Sequence, residues 1–180
     1  MQQPIPLLSG NREPIEGLLC TMNESHLEDY ETIWKGILLE TEQPDRYWMW
    51  DYKFRQSNRD ERFEAYAIEV DDLTQGLMLL ETQWHRSQTP QRYPLVYIEA
   101  VATAPWNRRN LEDPPYLRSV GRSLLLFARQ RSVELGYGGR VGLHSLPEVE
   151  GFYRRNQMPE YGADPDKEGL VYFEYRSIST

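Results

Sequence analysis

The chain has 180 residues, 39% hydrophobic, with 28 acidic residues against 20 Lys and Arg, a formal charge of −8 and a pI near 5.0. That length fills one domain, residues 1–180, with a sizeable core. The acidity argues against a non-specific nucleic-acid binder, which needs a basic face to displace counterions from phosphates. It also suits a cationic or amine-bearing substrate, although net charge speaks first to solubility.

Cys20 is the one cysteine, which excludes an intrachain disulfide and a cysteine cluster for zinc. A reducing, cytoplasmic setting is expected. No apolar stretch reaches the ~20 residues that span a bilayer, and the N-terminus lacks a charged-then-apolar leader pattern. A soluble chain without membrane attachment is expected, as monomer or homodimer.

Residues 1–24 mix Pro and Gly with two short apolar pieces, Ile5 to Leu8 and Ile15 to Leu19, one of which suits an edge strand. Ser25-His-Leu-Glu28 has the capping-box form at a helix start. Beyond it Leu27, Tyr30, Ile33, Trp34, Ile37 and Leu38 recur at helical spacing, and Pro44 closes the run. A second helical run covers Tyr47 to Phe54. Phe63 to Val70 and Gly76 to Glu81 flank a polar turn and predict a hairpin.

Val96 to Ala104 is continuously apolar apart from Glu99, as a central strand covered on both faces should be. Residues 105–115 are polar and Pro-rich and predict a surface loop insertion. Val120 to Leu135 predicts a helix closed by Gly136. A strand at Arg140 to His144, a short helix at Gly151 to Arg155 and a strand at Leu170 to Tyr175 follow.

This order of elements, with Gly142-Leu-His-Ser-Leu-Pro147 and Tyr172-Phe-Glu174, resembles the GCN5-related N-acetyltransferases (GNAT family). The motifs lie in the last 85 or so residues, while the first 90 match in order of elements. The resemblance implies an α/β (α+β) fold with a single mixed, mostly antiparallel central sheet, about four flanking helices, and splayed fourth and fifth strands. It implies acetyl-CoA as co-substrate, a primary amine as acceptor, direct transfer, and no metal.

Carried over residue by residue, the resemblance makes Arg118-Ser-Val-Gly-Arg-Ser123 the pyrophosphate turn. Arg118, Ser119, Val120, Gly121, Arg122 and Ser123 would supply backbone donors and charge at a helix start. Tyr116 and Ser119 stand where the family usually has Arg or Gln and Gly. Val101, Ala102 and Thr103 would pair with the pantetheine arm and acetyl group, the N–H near Val101 polarising the thioester carbonyl. Tyr153 aligns with the Tyr that protonates the departing thiolate.

Alternation puts Tyr97, Glu99 and Val101 on one strand face. Glu99 is either a base whose pKa burial raises, or a structural carboxylate paired with an Arg such as Arg140. Tyr97 and His144 are substrate-contact candidates, His144 also a second base. Trp48, Trp50 and Trp84 suit either pocket walls or core. A non-catalytic acyl-CoA-binding or protein-interaction module on the same fold is the alternative.

Overall fold

A computed structural model describes residues 1–178. The chain forms two compact units, Met1–Leu79 with Ala100–Leu124, and Leu80–Glu99 with the residues from Leu125 onward. Eight strands run in the order β1-β2-β3-β4-β5-β6-β8-β7, and β4 and β5 each pass through both units. The β5–β6 pairing is parallel, whereas β1–β2, β2–β3, β6–β8 and β7–β8 are antiparallel.

In the first unit, β1 (Gln2–Leu8) and β2 (Pro14–Thr21) form a hairpin in register from Gln2↔Cys20 to Leu8↔Pro14. The N-terminal segment thus supplies two strands where one was expected. Pro4 and Pro6, two apart, turn their missing donors to the outer edge, the position in which a sheet tolerates proline. Leu8 shares that outer side, and its N–H donates to Ser119 Oγ at 2.9 Å. Arg118 N–H donates to the Leu8 carbonyl at 2.9 Å, and the Arg118 guanidinium to the Gly10 carbonyl.

The first helix is capped by Asn23 rather than Ser25. Asn23 Oδ1 accepts from Ser25 N–H at 2.9 Å, and His26 Nδ1 accepts from Asn23 N–H at 3.0 Å, so a histidine closes the capping box. α1 (Glu24–Asp29) continues through a π-helical turn (Tyr30–Trp34) into α2 (Lys35–Leu39), and α3 spans Trp50–Arg59. Tyr30, Trp34 and Trp50 pack edge-on, with ring centroids 5.8 and 6.3 Å from Tyr30. Beneath them lie Ala65 and Ala67 of β3 (Phe63–Val70), Leu77 and Leu79 of β4 (Leu73–Glu81), and Ala100 and Ala102 of β5 (Val96–Thr103). Small residues on the strands leave room for the large rings.

The polar segment after β5 is more than surface loop. Arg108 meets Asp45 through two bonds of 2.7 Å and donates to the Thr103 carbonyl at 2.8 and 3.0 Å. Both side chains are largely shielded, at 11% and 9% exposure. α4 (Val120–Glu134) starts in this unit and crosses into the other. Gly76 lets β4 approach its first turn: a Cβ there would stand 2.6 Å from Val120 Cγ1.

In the second unit, β6 (Val141–Ser145) pairs with β8 (Val171–Tyr175), and β7 (Glu160–Ala163), a strand not expected from the sequence, pairs with β8 on its other edge. β7 is four residues long, includes Gly162, and pairs irregularly, so it lacks an alternating apolar pattern to announce it. α5 (Glu150–Arg155) follows β6. Gln157 takes the left-handed position after it, with φ 59°. Gly142 clears space for the Tyr172 ring, whose hydroxyl would collide with a Cβ.

Candidate active site

In the second unit, the parallel ladder between β5 and β6 consists of Val96↔Val141 and Tyr97↔Gly142 and then stops, although β6 continues to Ser145. The strands splay as expected. A side-chain bridge takes over where the backbone bonds end: Tyr97 Oη lies 2.7 Å from His144 Nδ1. His144 Nε2 in turn lies 2.8 Å from Asp164 Oδ2, before the short turn Pro165–Lys167. A carboxylate accepts only, so Nε2 carries the proton, Nδ1 is the acceptor, and the Tyr97 hydroxyl donates to it.

Burial pulls the His144 pKa below its ordinary value, and contact with Asp164 only partly opposes this. The hydrogen bond from His144 lowers Asp164. Burial, then the field of Glu99, pushes the Tyr97 phenol up. The resting chain is therefore carboxylate, neutral imidazole and neutral phenol.

The other face of Tyr97 is covered by His85, whose ring stacks at 3.8 Å and 7°. Glu81, buried at the end of β4, fixes His85 through a 2.7 Å bond to Nδ1. Burial pushes Glu81 up, but the bonds from His85 and from the backbone N–H groups of Gln83, Trp84 and His85 outweigh it and hold the carboxyl at about 2. The sequence offered one sign of this pair, the spacing of four between Glu81 and His85. Asp164 gave none, because it reaches His144 across twenty residues.

Tyr153, on α5, is buried against Phe152 and Phe173, with ring centroids at 5.2 and 5.5 Å. Its hydroxyl makes no hydrogen bond to protein among the described residues, and burial pushes the phenol far up. Glu99 is exposed. The burial on which its role as a tuned base was argued is therefore absent. Arg140 lies over Tyr93, 4.4 Å from the ring centroid, and donates to the Tyr137 carbonyl, so the suggested Arg140 pairing is not made.

Along its length β5 exchanges its hydrogen-bonding sides. Val96 N–H faces Arg140 beside β6, but Ala104, eight residues on, turns its N–H to Gln75 of β4. The Ala102 carbonyl also lies beside Gly76. Strict alternation would put Val96 and Ala104 on the same side, so the strand carries a bulge between them. Val101 and Thr103 consequently point their N–H and C=O away from β4. Arg108 occupies the Thr103 carbonyl.

At the start of α4, Ser123 N–H is the first to bond back, to the Ser119 carbonyl at 2.9 Å. Val120, Gly121 and Arg122 thus have donors without helical partners. Ser119, in the capping position, gives its oxygen to Leu8 rather than to them. Arg118 is spent on the Gly10 carbonyl and Arg108 on Asp45. Arg122 is exposed and makes no hydrogen bond or ion pair to protein among the described residues.

Cys20, His26 and Glu69 bring metal-ligand atom types within 4.8 Å of one another. His26 Nδ1 accepts the Asn23 N–H, so Nε2 holds the proton and donates to Glu69 Oε2 at 3.0 Å. The lone pair a cation would need is occupied by that proton, and the set reads as a hydrogen-bonded cluster. Burial, then Glu69, pushes the Cys20 thiol up to about 11, which keeps it protonated and unreactive.

No family model and no curated protein sequence matches the chain. Solved structures do. A Trypanosoma brucei acetyltransferase is similar at TM-score 0.56 and 17% identity, over 82% of this chain and 96% of that one. A Bacillus subtilis N-acetyltransferase solved with coenzyme A is similar at 0.54 and 13%, over 98% and 97%. Glucosamine-6-phosphate N-acetyltransferase from Arabidopsis thaliana is similar at 0.55 and 14%, over 82% and 95%. The fold is therefore that of the GCN5-related N-acetyltransferases.

Proposed function

We propose that the chain is an acyl-CoA-dependent N-acyltransferase that moves an acetyl group directly from acetyl-CoA to a primary amine. The observation that carries this reading is the parallel ladder of two residue pairs on a GNAT fold. It frees the backbone edge of β5 at Val101, where the N–H polarises the thioester carbonyl. Val101, Ala102 and Thr103 pair with the pantetheine arm, with Thr103 acting through its side chain and N–H since Arg108 holds its carbonyl. The open donors of Val120, Gly121 and Arg122 hold the pyrophosphate, with the Arg122 charge beside them. Arg118, Ser119 and Ser123 shape that turn.

The amine attacks the carbonyl carbon, a C–N bond forms, the C–S bond breaks, and the nitrogen gives up one proton to solvent as the amide forms. Tyr153 gives its proton to the leaving thiolate and regains one from solvent. Its burial suits this role, because a phenol with a raised pKa stays neutral and able to donate. Glu99, exposed on β5 between Tyr97 and Val101, attracts a cationic acceptor. Tyr97 and His144 contact the acceptor. The setting is cytoplasmic, and no metal takes part.

Acetyl-CoA titrated against the thermal midpoint tests binding, and thiol release with an amine panel tests turnover. An unchanged midpoint at millimolar acetyl-CoA sinks the reading, since a ligand that binds only the native state must stabilise it.

A further inference from the structure

We propose that Asp164, His144 and Tyr97 form a proton relay that takes up the proton the acceptor amine must lose. This rests on the acetyl-transfer reading above. A primary amine has a pKa near ~10.4, so most of it arrives as ammonium, which has no lone pair for attack. A proton acceptor is therefore required. Exposed Glu99 has no hydrogen-bond or ion-pair partner among the described residues, whereas the relay is fixed at every joint.

The direction of each hydrogen bond sets the polarity of the relay. Asp164 accepts from His144 Nε2 at 2.8 Å, which leaves Nδ1 as the acceptor of the Tyr97 hydroxyl at 2.7 Å. The lone pairs of Tyr97 Oη are then free to accept a proton from an ammonium group, directly or through one water. As that proton arrives, the Tyr97 O–H proton moves to His144 Nδ1. The amine becomes neutral, Tyr97 remains a phenol, and His144 becomes an imidazolium facing the Asp164 carboxylate. Once the amide has formed, the imidazolium returns its Nδ1 proton through Tyr97 Oη to water entering the emptied acceptor site, which restores the starting tautomer. The logic is that of a hydroxyl, histidine and carboxylate triad, with the phenol as conduit rather than nucleophile.

The surroundings favour a relay held in one geometry. His85, itself held by Glu81, stacks on Tyr97 and fixes the ring. On β8, Tyr172 lies 5.0 Å from the His144 ring, ring centre to ring centre, and directs its own hydroxyl to buried Glu174, leaving His144 to Tyr97 and Asp164. Lys167 and His85 act on His144 by charge alone, both keeping it neutral at rest. Glu99 and Tyr153 act on Tyr97 in the same way, opposing its ionisation.

Tyr97 touches the amine and is the catalytic group here; His144 and Asp164 position it and store the proton. The test compares the full chain with Tyr97→Phe and Asp164→Asn. The probes are a short alkylamine, a diamine, an amino sugar and a lysyl peptide, with CoA release followed from pH 5 to 10. Acetyl-CoA binding is followed separately by thermal shift. Both variants should keep the acetyl-CoA shift. Tyr97→Phe should lose on the order of 10²-fold or more in kcat at pH 7, and the deficit should narrow towards pH 10, where the amine ionises without help. Asp164→Asn should move the acid limb of kcat to lower pH, because the imidazolium loses its carboxylate.

A Tyr97→Phe deficit of equal size at every pH marks a structural role and overturns the relay, as does wild-type turnover in that variant. Acetyl-CoA binding by the wild type without CoA release from any probe also overturns it. Absence of acetyl-CoA binding instead overturns the acetyl-transfer reading itself.

Discussion

Three residues carry separable consequences. Tyr153 has a buried ring and a hydroxyl that makes no hydrogen bond to protein among the described residues, so Tyr153→Phe should keep the fold and acetyl-CoA binding while lowering CoA release ~10²-fold or more, read in a thiol assay. Asp45→Ala leaves the Arg108 guanidinium shielded and uncompensated, which should cost about 3–5 kcal/mol in urea unfolding. Glu81 has a folded pKa of about 2 against an ordinary 4.5. Its carboxylate therefore stabilises the fold fully above about pH 4.5, and that contribution disappears as pH falls through the folded value. The wild type should lose roughly 3 kcal/mol over that window from this group. Glu81→Gln should be less stable at pH 7 by about 1–3 kcal/mol and flatter in acid, as measured by denaturant midpoints at stepped pH.

At the scale of elements, glycine positions set how closely the strands and helices meet. Gly142→Ala drives a Cβ against the Tyr172 hydroxyl, and Gly76→Ala drives one against Val120. Each should cost about 1–3 kcal/mol by overpacking. Gly142→Ala should also disturb the Tyr172–Glu174 bond of 2.9 Å, visible as a shift in tyrosine absorbance.

Most elements were legible from the sequence because their apolar patterns are long: α4, the β3–β4 hairpin and β5 fall where periodicity puts them. The misses have local causes. Asn23 outcompeted Ser25 as cap because His26 could close the box from the third helical position. Two prolines disguised β1 as irregular chain, and β7 is too short to show a period. Within the candidate site, Tyr153, Tyr97 and His144 were legible as types at strand and helix positions. The bond between Tyr97 and His144, the part of Asp164 and the exposure of Glu99 follow from tertiary placement, which spacing along the chain does not encode.

At the scale of the whole molecule, ligand linkage gives the most direct measurement. Acetyl-CoA at a hundredfold excess over its Kd should stabilise the native chain by about 2.7 kcal/mol. For a chain of 180 residues this is a rise of roughly 5–11 °C in Tm at ~2–4 °C per kcal/mol. The net charge of −8 sets a second expectation. Association with a cationic amine acceptor should slow as salt is raised from low ionic strength, since steering over a Debye length of about 10 Å at 0.1 M is screened. Among the described residues no helix is long and apolar enough to cross a membrane.

The contact of Leu8 with Ser119 ties residues 111 positions apart, and Gly10 with Arg118 repeats the tie. What precedes residue 14 therefore acts as a brace on the first turn of α4. Shortening the chain from its front end would release Ser119 Oγ to swing onto the donors of its own helix, closing the seat that a phosphate would otherwise take. Fusion partners and purification tags are accordingly better carried at the opposite terminus. A loss of acetyl-CoA affinity after N-terminal trimming would be a helix-capping effect, felt without touching any residue that meets the ligand.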